Sequence, residues 1–308
     1  MTGRSPGAVG PHPSLASGLP EPLSNILDRL CCPECGHALK QEGDDVACTA
    51  CRRIFACRRN VVDLRPTTSH TKSEFQDWTK HWAPTAQQSI PQRFFSLYRK
   101  AVFARTVAYF VHRYFPAEGV LVEAGSGTSE TSIRIDKRRG GRMLVAVDIV
   151  PEVLDGCAEV MDVRLGGDIF RLPFVAESVD GIWNVGVMEH FTHDKIDAIL
   201  REMYRVLRPG GRIILLWPAS NSIPQKLLRA TERVINLARR GDRFQFHPDE
   251  ISKLRSRHEA LDVMTRNGIE PLEVEFGWRS LMAFRTVVGQ RPATPSNAHD
   301  MTHAQGSC

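Results

Sequence analysis

The 308-residue chain has no run of about 18 consecutive apolar residues, so no segment reads as a membrane-spanning helix. It also lacks an excess of one charge. Lys and Arg number 40 against 35 Asp and Glu, and a net +5 is too mild for the dense basic face of a dedicated nucleic-acid binder. The N-terminal stretch Met1 to Pro22 is rich in Pro, Gly and Ser and lacks the apolar core of a secretory signal. A cytoplasmic location is therefore expected. Residues 1–24 hold too few apolar side chains to offset the entropy of ordering them, which predicts a disordered tail, and the polar stretch 291–308 reads the same way.

The hydrophobic fraction, 42%, is that of an ordinary globular protein, and the length suits one catalytic domain with a small accessory module. The cysteines are unevenly placed: six of the eight lie between Cys31 and Cys57. In a reducing compartment such clustering favours a metal site over disulfides. Cys32-Pro33-Glu34-Cys35 and Cys48-Thr49-Ala50-Cys51 are two C-x-x-C knuckles with twelve residues between them. Two thiolates from each would complete a tetrahedral zinc site with no open position for a reactive water, hence a structural site. Cys31 and Cys57 are left over, and Cys32 rather than Cys31 keeps the C-x-x-C spacing.

Residues 67–118 read mainly as helix, a cap leading into the main domain. From Val120 onward, strand and helix patterns alternate, which predicts βαβ units and a largely parallel sheet. Val120 to Ala124, Met143 to Ile149, Gly181 to Val185 and Arg212 to Trp217 read as buried strands, and Arg201 to Leu207 ends a helix stopped by Pro209-Gly210-Gly211. Residues 223–240 fit a helix with Leu227, Leu228, Ile235 and Ala238 on one side. Pro271 to Phe276 and Leu281 to Val288 close the sheet. The expected organisation is a ribbon over 25–66, a helical cap over 67–118 and the catalytic domain over 119–290.

Glu123-Ala124-Gly125-Ser126-Gly127-Thr128 stands at the end of the first core strand and ahead of an expected helix, where glycines allow a tight turn and close approach of a ligand. The dinucleotide fingerprint needs a third glycine at position 130, where the chain has Glu130, and this counts against NAD or FAD. About twenty residues on, Asp148 ends the next strand, where a carboxylate can accept from both ribose hydroxyls. A helix cap ahead of Pro151 to Leu154 is the competing reading of Asp148.

Further on come Gly167-Asp168-Ile169-Phe170-Arg171-Leu172-Pro173-Phe174, Ser178 to Asn184, Val187-Met188-Glu189-His190-Phe191 and Leu200 to Gly211. In this order the motifs resemble the class I S-adenosylmethionine-dependent methyltransferases, near the group that includes quinone-biosynthesis enzymes. The Cys32–Leu64 segment resembles the small zinc-ribbon activator subunits of some methyltransferases. The first resemblance implies a Rossmann-like α/β fold, a seven-stranded sheet with helices on both faces and the last strand antiparallel. It also implies roles: Glu123 toward the methionine ammonium, Gly125, Ser126 and Gly127 against the cofactor, and Asp148 on the ribose, with Ile149 next to it. Asp168 would take the adenine amino group with Ile169 beside the ring, and Asn184 would lie near the methionine end.

The sulfonium of S-adenosylmethionine is already electrophilic, so the protein must align a nucleophile and exclude water. His190 is the first candidate to contact the acceptor, with a purely structural histidine as the alternative; Glu189 and His193 follow. Ile223 to His258 carries nine Lys or Arg against four Asp or Glu, with Lys226, Arg229 and Arg233 on one helical face. This segment lies where relatives build a lid, which suggests an anionic small-molecule acceptor (metabolite, lipid or glycan precursor); a solvated amphipathic face explains the charge equally well. An RNA methyltransferase with the ribbon as a docking module is the rival, weakened by the all-cysteine ribbon and by Asn184-Val185-Gly186-Val187 in place of an Asn-Pro-Pro-Tyr signature. A catalytically silent partner is a third reading. The oligomeric state is left open.

Overall fold

The computed structural model describes residues 18–67, 96–136, 140–238 and 250–293. Its main feature is a nine-stranded sheet built from β4 (Cys57–Arg58), β5 (Val61–Asp63), β6 (Gly119–Ala124), β7 (Arg142–Asp148), β8 (Val163–Gly166), β9 (Val179–Val185), β10 (Leu207–Pro218), β11 (Glu270–Glu275) and β12 (Phe284–Gln290), in the order β11-β12-β10-β9-β6-β7-β8-β5-β4. β6 to β10 are parallel, and β12 runs antiparallel between β10 and β11. Seven of these strands form the expected Rossmann-like sheet, with its antiparallel last strand. A smaller sheet holds β1 (Leu39–Glu42), β2 (Asp45–Cys48) and β3 (Ile54–Phe55).

The strands are apolar on both faces because helices cover both. In β10, Ile213, Leu215 and Trp217 enter one core and Ile214 and Leu216 the other; β6 and β7 divide Val122 from Leu121 and Val145 from Leu144 in the same way. One core takes Ile196, Ile199, Leu200 and Met203 of α4 (His193–Val206) and Val263 and Met264 of α6 (Arg257–Arg266). The other takes Val107, Phe110 and Val111 of α2 (Ala104–Tyr114) and Leu154 of α3 (Pro151–Leu154). The long helix α5 (Ile223–Ala238) follows β10.

Several expectations need correction. The tail predicted over 1–24 gives way to structure from residue 18: α1 (Glu21–Ser24) forms, and Leu19 and Leu23 are buried in the main core. Arg29 latches this segment down, donating to the Ser178 carbonyl at 2.9 Å and pairing with Asp180 at 3.4 Å. The ribbon is not a separate body. Its exit strand β5 pairs in parallel with β8, and Val46, Phe55, Cys32 and Cys48 share one continuous core with the catalytic sheet, which widens seven strands to nine. The described part of the expected cap, a π turn (Arg99–Phe103) running into α2, lies flat on the sheet rather than apart from it; positions 68–95 lie outside the described residues. At the other end, Arg291, where the tail over 291–308 was expected to start, still bonds Gly210 and Gly211; positions 294–308 are outside the described residues.

The helix expected after Gly127 is absent among the described residues. Ser129, Ser132 and Ile135 instead donate to the residue three before, a chain of tight turns with Ser129 at φ +53°. The Thr131 and Ser132 hydroxyls of this segment turn inward to the Glu123 carboxylate.

Candidate functional site

The strand order reverses between β6 and β9, with β7 to one side of β6 and β10 beyond β9 on the other. In open α/β sheets the crevice at the carboxyl ends of strands at such a switch point takes ligands. Each residue singled out from the glycine loop, the two aspartates and Asn184 sits at or just beyond one of these ends.

Gly125 carries φ +72°, and an added Cβ would meet Val187 at 2.8 Å, so both the turn and the close packing require glycine. The Gly125 and Ser126 amides donate to the Val147 carbonyl at 2.9 and 3.1 Å, folding the loop back over β7. The Gly127 amide then donates to Asp148 Oδ2 at 2.8 Å, while Asp148 Oδ1 accepts from Val150 at 2.9 Å. Asp148 is thus fixed by two backbone donors and still has acceptor capacity on both oxygens. Burial raises its pKa to about 6, against the opposing pull of those amides. The helix cap weighed against the ribose role does not form: Val150, not Asp148, precedes the first turn of α3. Ile149, half-buried, turns its carbonyl to Arg65 of the ribbon exit at 3.3 Å, and Arg65 in turn is clasped by Asp63 through two bonds of 2.7 Å.

Asp168, buried, accepts the Phe170 amide at 2.9 Å and so shapes its own loop; Ile169 beside it is half-buried. Glu123 is buried, and its carboxylate accepts the Ser132 hydroxyl at 2.9 Å and the Thr131 hydroxyl at 3.4 Å, with the Trp183 indole N–H reaching Ser132 at 3.3 Å. Burial lifts the Glu123 pKa to about 7. Asn184 is fully buried, yet neither its Oδ1 nor its Nδ2 has a partner among the described residues. Two unpartnered amide atoms in a core would be costly, so the position suits a ligand that supplies both a donor and an acceptor.

Glu189 and His190 lie on a short turn (Met188–His190) held from above by the segment after α5: the Glu189 carbonyl accepts from Ile251 at 2.6 Å and Ser252 at 2.9 Å. The Glu189 carboxyl is buried, with Oε2 unpartnered among the described residues, and Oε1 lies 3.7 Å from His190 Nε2. Burial, reinforced by Glu250 and opposed by Lys253, raises the Glu189 pKa to about 8. The His190 ring is itself nearly buried, and His193 is exposed at the start of α4. Of the basic residues on α5, Arg229 pairs with Glu250 at 2.6 Å, while Lys226 and Arg233 are exposed.

At the far edge, the sulfurs of Cys32, Cys35, Cys48 and Cys51 all lie within 4.8 Å of one another, with Cys32–Cys51 at 3.7 Å and Cys35–Cys48 at 3.4 Å. Tetrahedral bonds of about 2.3 Å put sulfurs roughly 3.8 Å apart, so the four thiols have the arrangement of a closed metal site. The amides of Ala50 and Cys51 both donate to Cys48 Sγ at 3.4 Å. This knuckle region leans on the Asp168 loop. Arg171 donates to the Glu34 carbonyl at 3.1 Å, and the Cys31 amide to the Pro173 carbonyl at 3.1 Å. Sequence reasoning missed this contact, Arg65, and strand β8, whose short Val163-Arg164-Leu165 pattern is too brief to stand out.

A family model described as a methyltransferase domain matches residues 122–215, the stretch from β6 through β10. A ubiquinone/menaquinone biosynthesis C-methyltransferase of Geobacter sp. is 24% identical over 166 residues, covering 49% of this chain and 71% of its own length. A demethylmenaquinone methyltransferase of Deinococcus radiodurans is 30% identical over 125 residues, and a methyltransferase of Mycobacterium bovis 38% over 99 residues; the chain spans 48% and 39% of those two. Among solved structures, the magnesium protoporphyrin IX methyltransferase of Synechocystis is 14% identical with a TM-score of 0.48, covering 72% of this chain and 95% of that one. A chain from the Haloferax volcanii complex of a methyltransferase with its activator is 15% identical with a TM-score of 0.48, covering 73% and 98%. The glycine loop, Asp148, Asp168 and Asn184 all fall within residues 122–215, a methyltransferase domain similar to S-adenosylmethionine-dependent enzymes.

Proposed function

We propose that this methyltransferase acts on a small metabolite, lipid or glycan precursor, with an anionic acceptor favoured, and that its zinc ribbon serves a structural role. The buried, unpartnered Asn184 amide carries the cofactor assignment, because S-adenosylmethionine offers both donor and acceptor groups at its methionine end. Glu123, Gly125, Ser126 and Gly127 would cradle that end, Asp148 with Ile149 the ribose, and Asp168 with Ile169 the adenine.

The bound cofactor supplies the activated methyl group; the protein's own work is alignment and exclusion of water. The turn bearing Glu189 and His190, closed over by Ile251 and Ser252, would form the acceptor wall. His190 is the candidate to take a proton from the acceptor, and Glu189, raised in pKa, is a neutral neighbour that leaves the ring free to accept it. Lys226 and Arg233 would draw an anionic acceptor toward the lid. The relatives named as quinone methyltransferases support a lipid-like or aromatic acceptor. The mild net charge and the all-cysteine ribbon weigh against RNA.

The ribbon would hold zinc through Cys32, Cys35, Cys48 and Cys51, and through Glu34 and Cys31 it would brace the Asp168 loop. The test is to incubate the protein with methyl-labelled S-adenosylmethionine and host extract, then separate lipid, small-molecule, protein and RNA fractions. Label in lipid or small molecules supports this reading; label in RNA overturns it.

A further inference from the structure

Helix α5 presents large apolar side chains to solvent. At about 100° per residue, Leu227, Ala230, Val234 and Leu237 form one continuous stripe. These side chains are exposed, with Leu227 at 68%, Val234 at 66% and Leu237 at 87%. The half-buried side chains Pro224, Glu232, Ile235 and Asn236 lie on the opposite side, so among the described side chains the helix presents leucine and valine outward. The outward half carries no acid. The only carboxylate in the helix is Glu232 on the seated side, while Lys226 and Arg233 flank the apolar stripe. Arg229, nearer the seated side, is tied to the buried Glu250 at 2.6 Å, which holds the helix in this orientation.

A second patch lies at the same sheet edge. Pro218, which leads into α5, pairs with Phe284, and the short turn before Phe284 exposes Trp278 at 77% and Leu281 at 42%. This is also the edge on which the parallel strands present the glycine loop, Asp148, Asp168 and Asn184.

We infer that α5, with Trp278 and Leu281, is an interfacial anchor that seats the cofactor edge of the protein on an anionic lipid surface. An apolar stripe flanked by Lys and Arg, with a tryptophan close by, is the composition that lies in the headgroup region of an anionic bilayer. At 16 residues the helix is about 24 Å long, which suits lying on a surface, and no described helix is long and apolar enough to cross one. A second copy of the chain is the poorer occupant, because an isologous contact sets each patch against itself and would bring the Lys226–Arg233 edges together. The inference is independent of which acceptor is methylated. Its consequence is that acceptors dissolved in or tethered to a bilayer reach the site without leaving the surface.

The test is co-sedimentation of the full chain with vesicles of phosphatidylcholine alone and of equal parts phosphatidylcholine and phosphatidylglycerol. The wild-type protein is expected to pellet with the anionic vesicles only, and less so as salt rises. Leu227→Glu/Val234→Glu/Leu237→Glu should lower that partition at least about tenfold. The circular dichroism spectrum and affinity for S-adenosylhomocysteine should be kept. Leu237→Glu alone, at the most exposed position, should lower it in the same direction should the triple variant fold poorly. Wild-type protein left in the supernatant with anionic vesicles overturns the inference. So does partition unchanged in the variants, or a wild-type dimer in light scattering that the same substitutions convert to monomer.

Discussion

Glu189 sits in the protein interior with one oxygen unpartnered and a pKa raised by burial to about 8, against an ordinary value of 4.5. Between those two pH values the folded protein holds a proton that the unfolded chain has released. Stability must therefore fall as pH rises through that window, by up to about 1.4 kcal/mol per pH unit. Glu123 and Asp148 act in the same direction, over windows ending near 7 and 6. Urea unfolding of the cofactor-free protein should accordingly show a midpoint that declines from pH 5 to pH 8. Glu189→Gln should make the decline between 7 and 8 shallower, since that stretch lies above the windows of Glu123 and Asp148, and a decline of undiminished slope there would refute the assignment. These pKa values were not legible in the sequence, because burial depends on neighbours far along the chain. The placement was: the glycine loop, Asp148, Asp168 and Asn184 all fall at strand ends, as the motif spacing implied. The sequence also named His190, but its buried contact with Glu189 needed the fold, and so did the orphaned Asn184 amide.

At the scale of elements, the ribbon and the catalytic sheet form one unit. β5 extends the sheet through β8, Leu64 is fully buried in the shared core, and the first knuckle touches the loop that carries Asp168. Leu64→Ala should cost about 2–5 kcal/mol, the usual range for a buried leucine. Differential scanning calorimetry should then show ribbon and sheet unfolding together at a lower temperature; two separated transitions would contradict a shared core. If the four cysteines hold zinc as proposed, a chelator, or replacing Cys48 with Ser, should lower the melting temperature and also weaken S-adenosylhomocysteine binding, because the Asp168 loop loses its brace. Binding unchanged after metal loss, measured by calorimetry, would confine the ribbon to stability. Core strands and α4 were legible because their apolar patterns are long and regular; α5 was legible as a helix, but Leu227 and Ile235, expected on one side, differ in burial, with Leu227 exposed and Ile235 half-buried. The missing helix after Gly127 was not, since the family pattern suggested one while the Ser- and Thr-rich sequence favoured turns. α1 and the Arg29 latch were missed because a Pro/Gly/Ser-rich start hides two core leucines.

At the scale of the molecule, the sheet gathers its chemistry along one edge, with α5 and Trp278 beside it and the ribbon at the far end. The reading of ribbon, cap and catalytic domain as separate parts divided the chain more sharply than the fold does, because a parallel strand pair contributed by a separate sequence segment leaves no local periodic signal. The α/β class, the parallel sheet and its antiparallel last strand were all readable from the alternation beyond Val120. Everything functional depends on that edge binding S-adenosylmethionine, and Asp148 is its most committed residue. Isothermal titration with S-adenosylhomocysteine is therefore the decisive measurement, on wild-type protein and on Asp148→Ala with its fold checked by circular dichroism. Saturable one-to-one binding that weakens at least about tenfold in the variant, the loss expected for hydrogen bonds to a charged group, is the predicted result. No binding by the wild-type protein, or equal binding by the variant, would contradict the site described here.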